Sequence, residues 1–322
     1  MLFYVLNFLV VIVSVLLTIA FFTLLERKTM SSIQRRRGPN IAGLFGLLQP
    51  IADGLKLLLK ELILPSSSNI LLFLGAPLVT FFCTLLIWFT IPVQDGYISL
   101  QLPLSTLFIL AISSLSIHGI LFSGWSSNSK YAFLGGIRSG SQMISYELAM
   151  GATFSSIILI SGSFSLVDIV KCQEHVWFIF PLFPFWILFL IISLAETNRT
   201  PFDLPEAEAE LVAGYNVEYS AIAFALFFLA EYGNMIIMSS LSVLFFWGGW
   251  GSFFFDVPFI PGAFFFSLKV CAHMFFFLWV RAALPRYRYD QLMKLGWKAL
   301  IPISFTLVML EASLLVGLDC FI

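Results

Sequence analysis

Charge is what this sequence has least of. Asp, Glu, Lys and Arg make up only 11% of its 322 residues, where an ordinary soluble chain carries about 25%. With 60% apolar residues and a mean hydropathy of +0.98, the composition excludes a typical soluble domain and points to a membrane protein. A net charge of −1 draws neither nucleic acid nor an anionic lipid surface. The four cysteines, Cys83, Cys172, Cys271 and Cys320, form no C-x-x-C pair, which excludes an iron–sulfur cluster or structural zinc built from this chain alone. Three histidines, His118, His175 and His273, are too few for the four axial ligands of a dihaem bundle. There is no P-loop, no GxGxxG fingerprint and no H-E-x-x-H. Residues 1–25 lack a basic n-region and a small-residue cleavage site, so they read as a retained first helix.

What is present is a series of long apolar runs. Runs able to cross roughly 30 Å of hydrocarbon fall at about 2–25, 70–91, 104–123, 141–162, 177–195, 216–246, 262–284 and 299–318. The expected fold is all-α: a polytopic bundle of about eight transmembrane helices, in one membrane domain covering residues 1–322, with both termini on the same side. This arrangement puts every Lys and Arg except Lys171 and Lys269 on one side, which the positive-inside rule assigns to cytoplasm or matrix. An additional segment, 42–63, carries Gln49, Asp53, Lys56 and Lys60 on one helical stripe among Leu, Ile and Ala. It reads as an amphipathic helix in the interface, either a plain surface anchor or the lining of a portal.

Polar residues concentrate in few places. The 21-residue segment AETNRTPFDLPEAEAELVAGY, the core of an inner loop at 196–217, sets Glu196, Asp203, Glu206, Glu208 and Glu210 between two apolar runs. Asp203-x-x-Glu206 resembles a capping box, which accounts for two of these acids. It leaves Glu208, Glu210 and the later Glu218 unexplained. Glu206 and Glu210 share a helical face, and crowded carboxylates push each other's pKa upward. Ionisable groups also lie within or beside spans: Glu147, Glu231, Lys269, His273, Arg281 and Glu311. Such residues mark ion or substrate paths by default. LLERK closes the first span in this reading; basic residues there stop translocation, but Glu26 needs a partner or a proton-binding role.

Taken together, LLERK, QRRRGPN, GLLQPIADGLKLLLKE, GWSSNSKYAFLGGIRSGSQMISYE, LAETNRTPFDLPEAEAELVAGYNVEY, FFLAEY and WVRAALPRYRYDQLMKLGWK resemble the subunit 1 family of proton-pumping NADH–ubiquinone oxidoreductase, respiratory complex I. The resemblance implies a subunit, inactive alone, that forms the membrane part and entrance of a ubiquinone chamber and an acidic path to the proton pumps. It implies ubiquinone as substrate, with no flavin, iron–sulfur cluster or metal on this chain. Its implied partners are other complex I membrane subunits, the quinone-site subunits of the hydrophilic arm and membrane lipids. Carried over by motif, Arg27, Arg36, Arg37, Asp53 and Lys56, with Glu26, border the chamber. Glu147, Glu196, Asp203, Glu206, Glu208, Glu210, Glu218 and Glu231 form the path, with Arg281 as counter-charge. The implied location is the mitochondrial inner membrane, which the 37 Phe residues favour as an A+T-rich bias, or else a bacterial plasma membrane. Rival readings are a membrane subunit of an energy-converting hydrogenase, a stand-alone proton or cation transporter, and a passive anchor.

Overall fold

An apolar run that crosses lipid has to be helical or part of a closed barrel, because its backbone N–H and C=O groups find no water there. The computed structural model describes residues 2–96, 100–203, 214–252 and 261–317, and these form a helical bundle. In chain order the helices are α1 (Leu2–Ile33), α2 (Gln49–Leu59), α3 (Ile70–Trp88), α4 (Ser105–Ser126), α5 (Lys130–Ser161), α6 (Leu166–Cys172), α7 (Phe183–Glu196), α8 (Ala221–Phe246), α9 (Gly262–Ala283), α10 (Tyr289–Leu295) and α11 (Ile301–Gly317). Among the described residues, seven helical stretches are long and apolar enough to span, and α7 is a shorter apolar helix. The expected polytopic bundle is therefore present.

Several boundaries differ from the sequence reading, each for a local reason. Helix α1 runs on to Ile33, past the expected end at residue 25, because Glu26 is buried against partners and does not break the helix. Helix α7 begins only at Phe183, with Pro184 in its first turn, a position where a missing N–H costs nothing. Its 14 residues rise about 21 Å. Helix α8 begins at Ala221 and not at 216, after a 3₁₀ turn at Gly214–Asn216. The last span starts earlier than expected, as α10, a π turn at Gly296–Leu300, and α11 in succession. The π turn precedes Pro302, whose lack of an N–H disfavours the ordinary bond to Lys298. Helix α5 has strong punctuation: the Ser129 hydroxyl accepts from the Ala132 N–H, and Gly162, at φ 65°, ends it.

The long helices pack as neighbours α3–α4, α4–α5, α3–α8, α5–α7, α5–α11, α8–α9 and α1–α8. Helix α8 also meets α2, α6 and α7, and from Leu241 to Phe246 every residue of it is buried. Helices α1 and α11 are the least buried spans. Their outward Val13, Leu17, Phe21, Met309, Leu310 and Leu314 are the surface a helix shows to lipid or to another protein chain. Helix α2 buries no residue. It carries Ile51, Leu55, Leu58 and Leu59 exposed and rests on α1 and α8. The expected stripe is shortened by one, since Lys60 caps the helix from outside.

Candidate functional site

At the end of the bundle where α1 finishes and α8 starts, the polar residues separate into an open cleft and a buried string. The cleft has a volume of about 330 Å³ and is walled by Arg27 of α1, Asp53, Lys56, Leu57 and Lys60 of the α2 segment, and Tyr219 and Phe224 at the start of α8. Arg27 Nη1 lies 2.6 Å from Asp53 Oδ2, and Gln49 Nε2 donates to Asp53 Oδ1 at 3.0 Å. The chain after α2 is pinned by the Ile63 N–H donating to Ser220 Oγ at 3.0 Å. Tyr219 stacks on Phe73 with centroids 4.1 Å apart. Burial pushes its phenol up to about 12, so it stays neutral at physiological pH. The cleft thus joins a charged rim to an apolar wall. Arg36 and Arg37 do not line it; they are exposed beyond α1, where Arg36 Nε donates to Gln34.

Behind the cleft, Glu26 is buried and both of its oxygens are engaged: one pairs with Arg281 of α9, the other accepts from Tyr232 of α8 at 2.5 Å. The Arg199 guanidinium lies over the Tyr232 ring, 4.5 Å from its centroid. Arg199 Nη2 is also 3.6 Å from Glu231 Oε2, and Tyr215 donates to Glu231 Oε1 at 2.6 Å. Arg199 reaches this position because Asn198 adopts φ 49°, a left-handed turn that Asn tolerates. Buried charges persist only when paired and hydrogen-bonded, and these groups answer one another.

A second pair lies deeper in the bundle. Ser113 of α4 donates to Glu147 at 3.2 Å. It also lines a cavity of about 20 Å³ with Glu196, Asn234, Ser116, Met150 and Thr84, enough room for one water. Glu147 and Glu196, 49 positions apart in sequence, are thus both brought near Ser113, Glu147 by a hydrogen bond and Glu196 across the cavity. The turn carrying Asp203 is fastened from two directions. Gln142 of α5 donates to Ala195 O at 2.8 Å and Phe202 O at 3.0 Å, and the Tyr287 N–H donates to Pro201 O at 3.0 Å. Asp203 itself is buried, with Arg286 Nη2 at 3.4 Å.

Glu206, Glu208 and Glu210, and with them the expected capping box, lie outside the described residues. Glu218 is half-buried in the short link before α8. Tyr232 and Gln142 do not stand out in the sequence as site residues. The available signals are the position of Tyr232 next to Glu231, and an amide at residue 142 opening an apolar run. Among the described residues, no three His, Cys, Asp or Glu side chains group as a metal site.

Comparison with known proteins agrees with this architecture. A family profile described as NADH dehydrogenase matches residues 6–312. A protein of Chondrus crispus named NADH-ubiquinone oxidoreductase chain 1 is 54% identical over 311 residues, covering 96% of this chain and 95% of the relative. An NADH-quinone oxidoreductase subunit of the bacterium Paramagnetospirillum magneticum is 53% identical over 317 residues, covering 97% and 92%. The Arabidopsis thaliana chain 1 is 54% identical over 309 residues, covering 95% of each. The match runs essentially end to end through every element of the site, and the chain belongs to the NADH dehydrogenase family.

Proposed function

We propose that this chain, like the relatives named as parts of NADH-quinone and NADH-ubiquinone oxidoreductases, is a multi-pass membrane subunit of a quinone-reducing NADH dehydrogenase. In this reading it forms the membrane-side wall and entrance of the quinone chamber, and its acids couple quinone reduction to proton translocation. The observation that carries the proposal is the cleft of Arg27, Asp53, Lys56, Tyr219 and Phe224, set one residue in sequence from the buried Glu26. A quinone needs an apolar slot for its isoprenoid tail and a polar end for a head group that takes two electrons and two protons. The cleft has both, and its volume falls in the range of about 300–1,000 Å³ usual for small-ligand sites.

Helix α2, with its exposed leucines and polar stripe, lies in the membrane interface and roofs the entrance. Arg36 and Arg37 belong to the approach and not to the wall. Glu147, Glu196, Asp203, Glu206, Glu208, Glu210, Glu218 and Glu231 constitute the path, with Arg281 holding Glu26. Flavin and iron–sulfur chemistry reside on partner subunits of the assembled complex, which sits in a mitochondrial inner or bacterial plasma membrane.

The test uses the assembled complex in sealed native membranes. Lys56→Gln raises the KM for a short-chain quinone, whereas Glu231→Gln leaves that KM in place and lowers the protons moved per NADH oxidised. Wild-type quinone kinetics in Lys56→Gln together with full translocation in Glu231→Gln would refute the proposal.

A further inference from the structure

We infer that Arg199 and Tyr232 are positioning residues that join two carboxylates, Glu26 beside the cleft and Glu231 on the path, into one electrostatic unit. The inference rests on the quinone reading above, but its geometry is independent of it. Five separately folded pieces converge here: α1 brings Glu26, α9 brings Arg281, α8 brings Glu231 and Tyr232, the turn after α7 brings Arg199, and the 3₁₀ turn brings Tyr215. Tyr232 uses its hydroxyl on Glu26, at 2.5 Å, and its ring face on Arg199, 4.5 Å from the centroid. Arg199 in turn stands 3.6 Å from Glu231 Oε2. One tyrosine and one arginine thus span the distance between the two acids.

The physical consequence follows from burial. Arg199 is buried, and the side chains of Glu26 and Glu231 are 6% and 15% exposed, so water and salt screen their fields far less than at the surface. A ring face attracts a cation, and a phenol donating to a carboxylate is oriented by that carboxylate's charge. When Glu231 gains a proton, Arg199 loses an anion, and its field falls more fully on the Tyr232–Glu26–Arg281 group. By linkage the reverse holds to the same degree: a change at Glu26, next to the cleft residue Arg27, alters Glu231. Arg281 pairs with Glu26 and Tyr215 donates to Glu231, so each of the two acids has a second partner within the group. No proton needs to travel along this unit for it to act.

The experiment measures protons translocated per NADH oxidised, and the quinone KM, in sealed native membranes containing the assembled complex. Variants are Tyr232→Phe, which removes only a hydroxyl, Arg199→Gln and Arg199→Lys, with Glu231→Gln as reference. The inference expects Tyr232→Phe and Arg199→Gln to reduce translocation per NADH about fivefold or more, the lower end of ordinary coupling between sites. The quinone KM stays at the wild-type value, and Arg199→Lys recovers part of the loss. It is overturned if Tyr232→Phe and Arg199→Gln translocate normally while Glu231→Gln does not. It is also overturned if assembled Arg199→Lys and Arg199→Gln are equally impaired. If Glu231→Gln itself translocates normally, the acidic path fails as a whole, which separates that failure from this one.

Discussion

Two buried charged regions along α8, one beyond its C-terminal end and one near its middle, are stabilised by different means. Beyond its C-terminal end, Lys269 of α9 is buried, and its ammonium donates to three backbone carbonyls, Trp247 at 2.6 Å, Gly249 at 3.2 Å and Gly251 at 2.7 Å, beneath the Trp177 ring. Gly248 and Gly249, at φ 67° and 52°, turn the chain so that these carbonyls face inward. A Cβ on Gly248 would come within 2.7 Å of the Trp177 indole. Near mid-helix, Glu26 and Glu231 are answered by side chains: Arg281, Tyr232, Arg199 and Tyr215. Backbone carbonyls cannot change charge, so these three contacts are fixed ones, and through them Lys269 ties down the turn that follows α8. Carboxylates facing arginine and tyrosine can change protonation and be felt by their neighbours. What answers a charge buried in a membrane bundle therefore bears on its role more than its depth does.

Substitutions in and around the two regions sharpen this contrast. The largest effect is expected from Lys269→Met, which leaves three carbonyls without their donor, at a cost of about 1–3 kcal/mol for each that stays unsatisfied. It shows as a lower unfolding midpoint of the complex, while the complex that survives moves the wild-type number of protons per NADH. Next is Gln142→Leu, which deletes the two bonds to Ala195 and Phe202 and costs about 2 kcal/mol. Faster amide exchange around residues 200–203 is the readout, because Gln142 fastens the turn that presents Asp203. The smallest effect on stability is expected from Arg27→Gln. The Arg27 and Asp53 side chains are 51% and 36% exposed, and such exposed pairs contribute roughly 0–1 kcal/mol. Its consequence is instead a raised quinone KM. A thermal shift for Arg27→Gln as large as that for Lys269→Met would erase the distinction.

Much of this arrangement is legible from residue patterns alone. Long apolar runs locate the helices of the bundle, although the fifth of the eight expected gives only the 14-residue α7, and the polar stripe Gln49–Asp53–Lys56 marks α2. The acids stand out because they are expensive where they lie. The partners of those acids are not legible, because they come from sequence-distant elements: Glu26 and Tyr232 are 206 positions apart and Glu26 and Arg281 are 255. The role of Arg199 depends on a single left-handed residue, Asn198, in a turn whose sequence is equally compatible with facing water. Charge at Glu26–Arg27–Lys28 suggests the end of α1, but a buried ion pair lets the helix continue to Ile33. The motif QRRRGPN groups Arg36 and Arg37 with Arg27 in sequence, yet the chain leaves the helix after Ile33 and carries both away from the cleft.

The central claim, that the cleft beside Glu26 receives the quinone, is tested most directly by photolabelling the assembled complex with a quinone bearing a photoreactive ring substituent, followed by peptide mapping. The account predicts label in residues 53–60 and 219–224, displaced by excess unlabelled quinone and weakened by Lys56→Gln. Displaceable label confined to the Trp247–Gly251 end of α8, with none at α2, would contradict it.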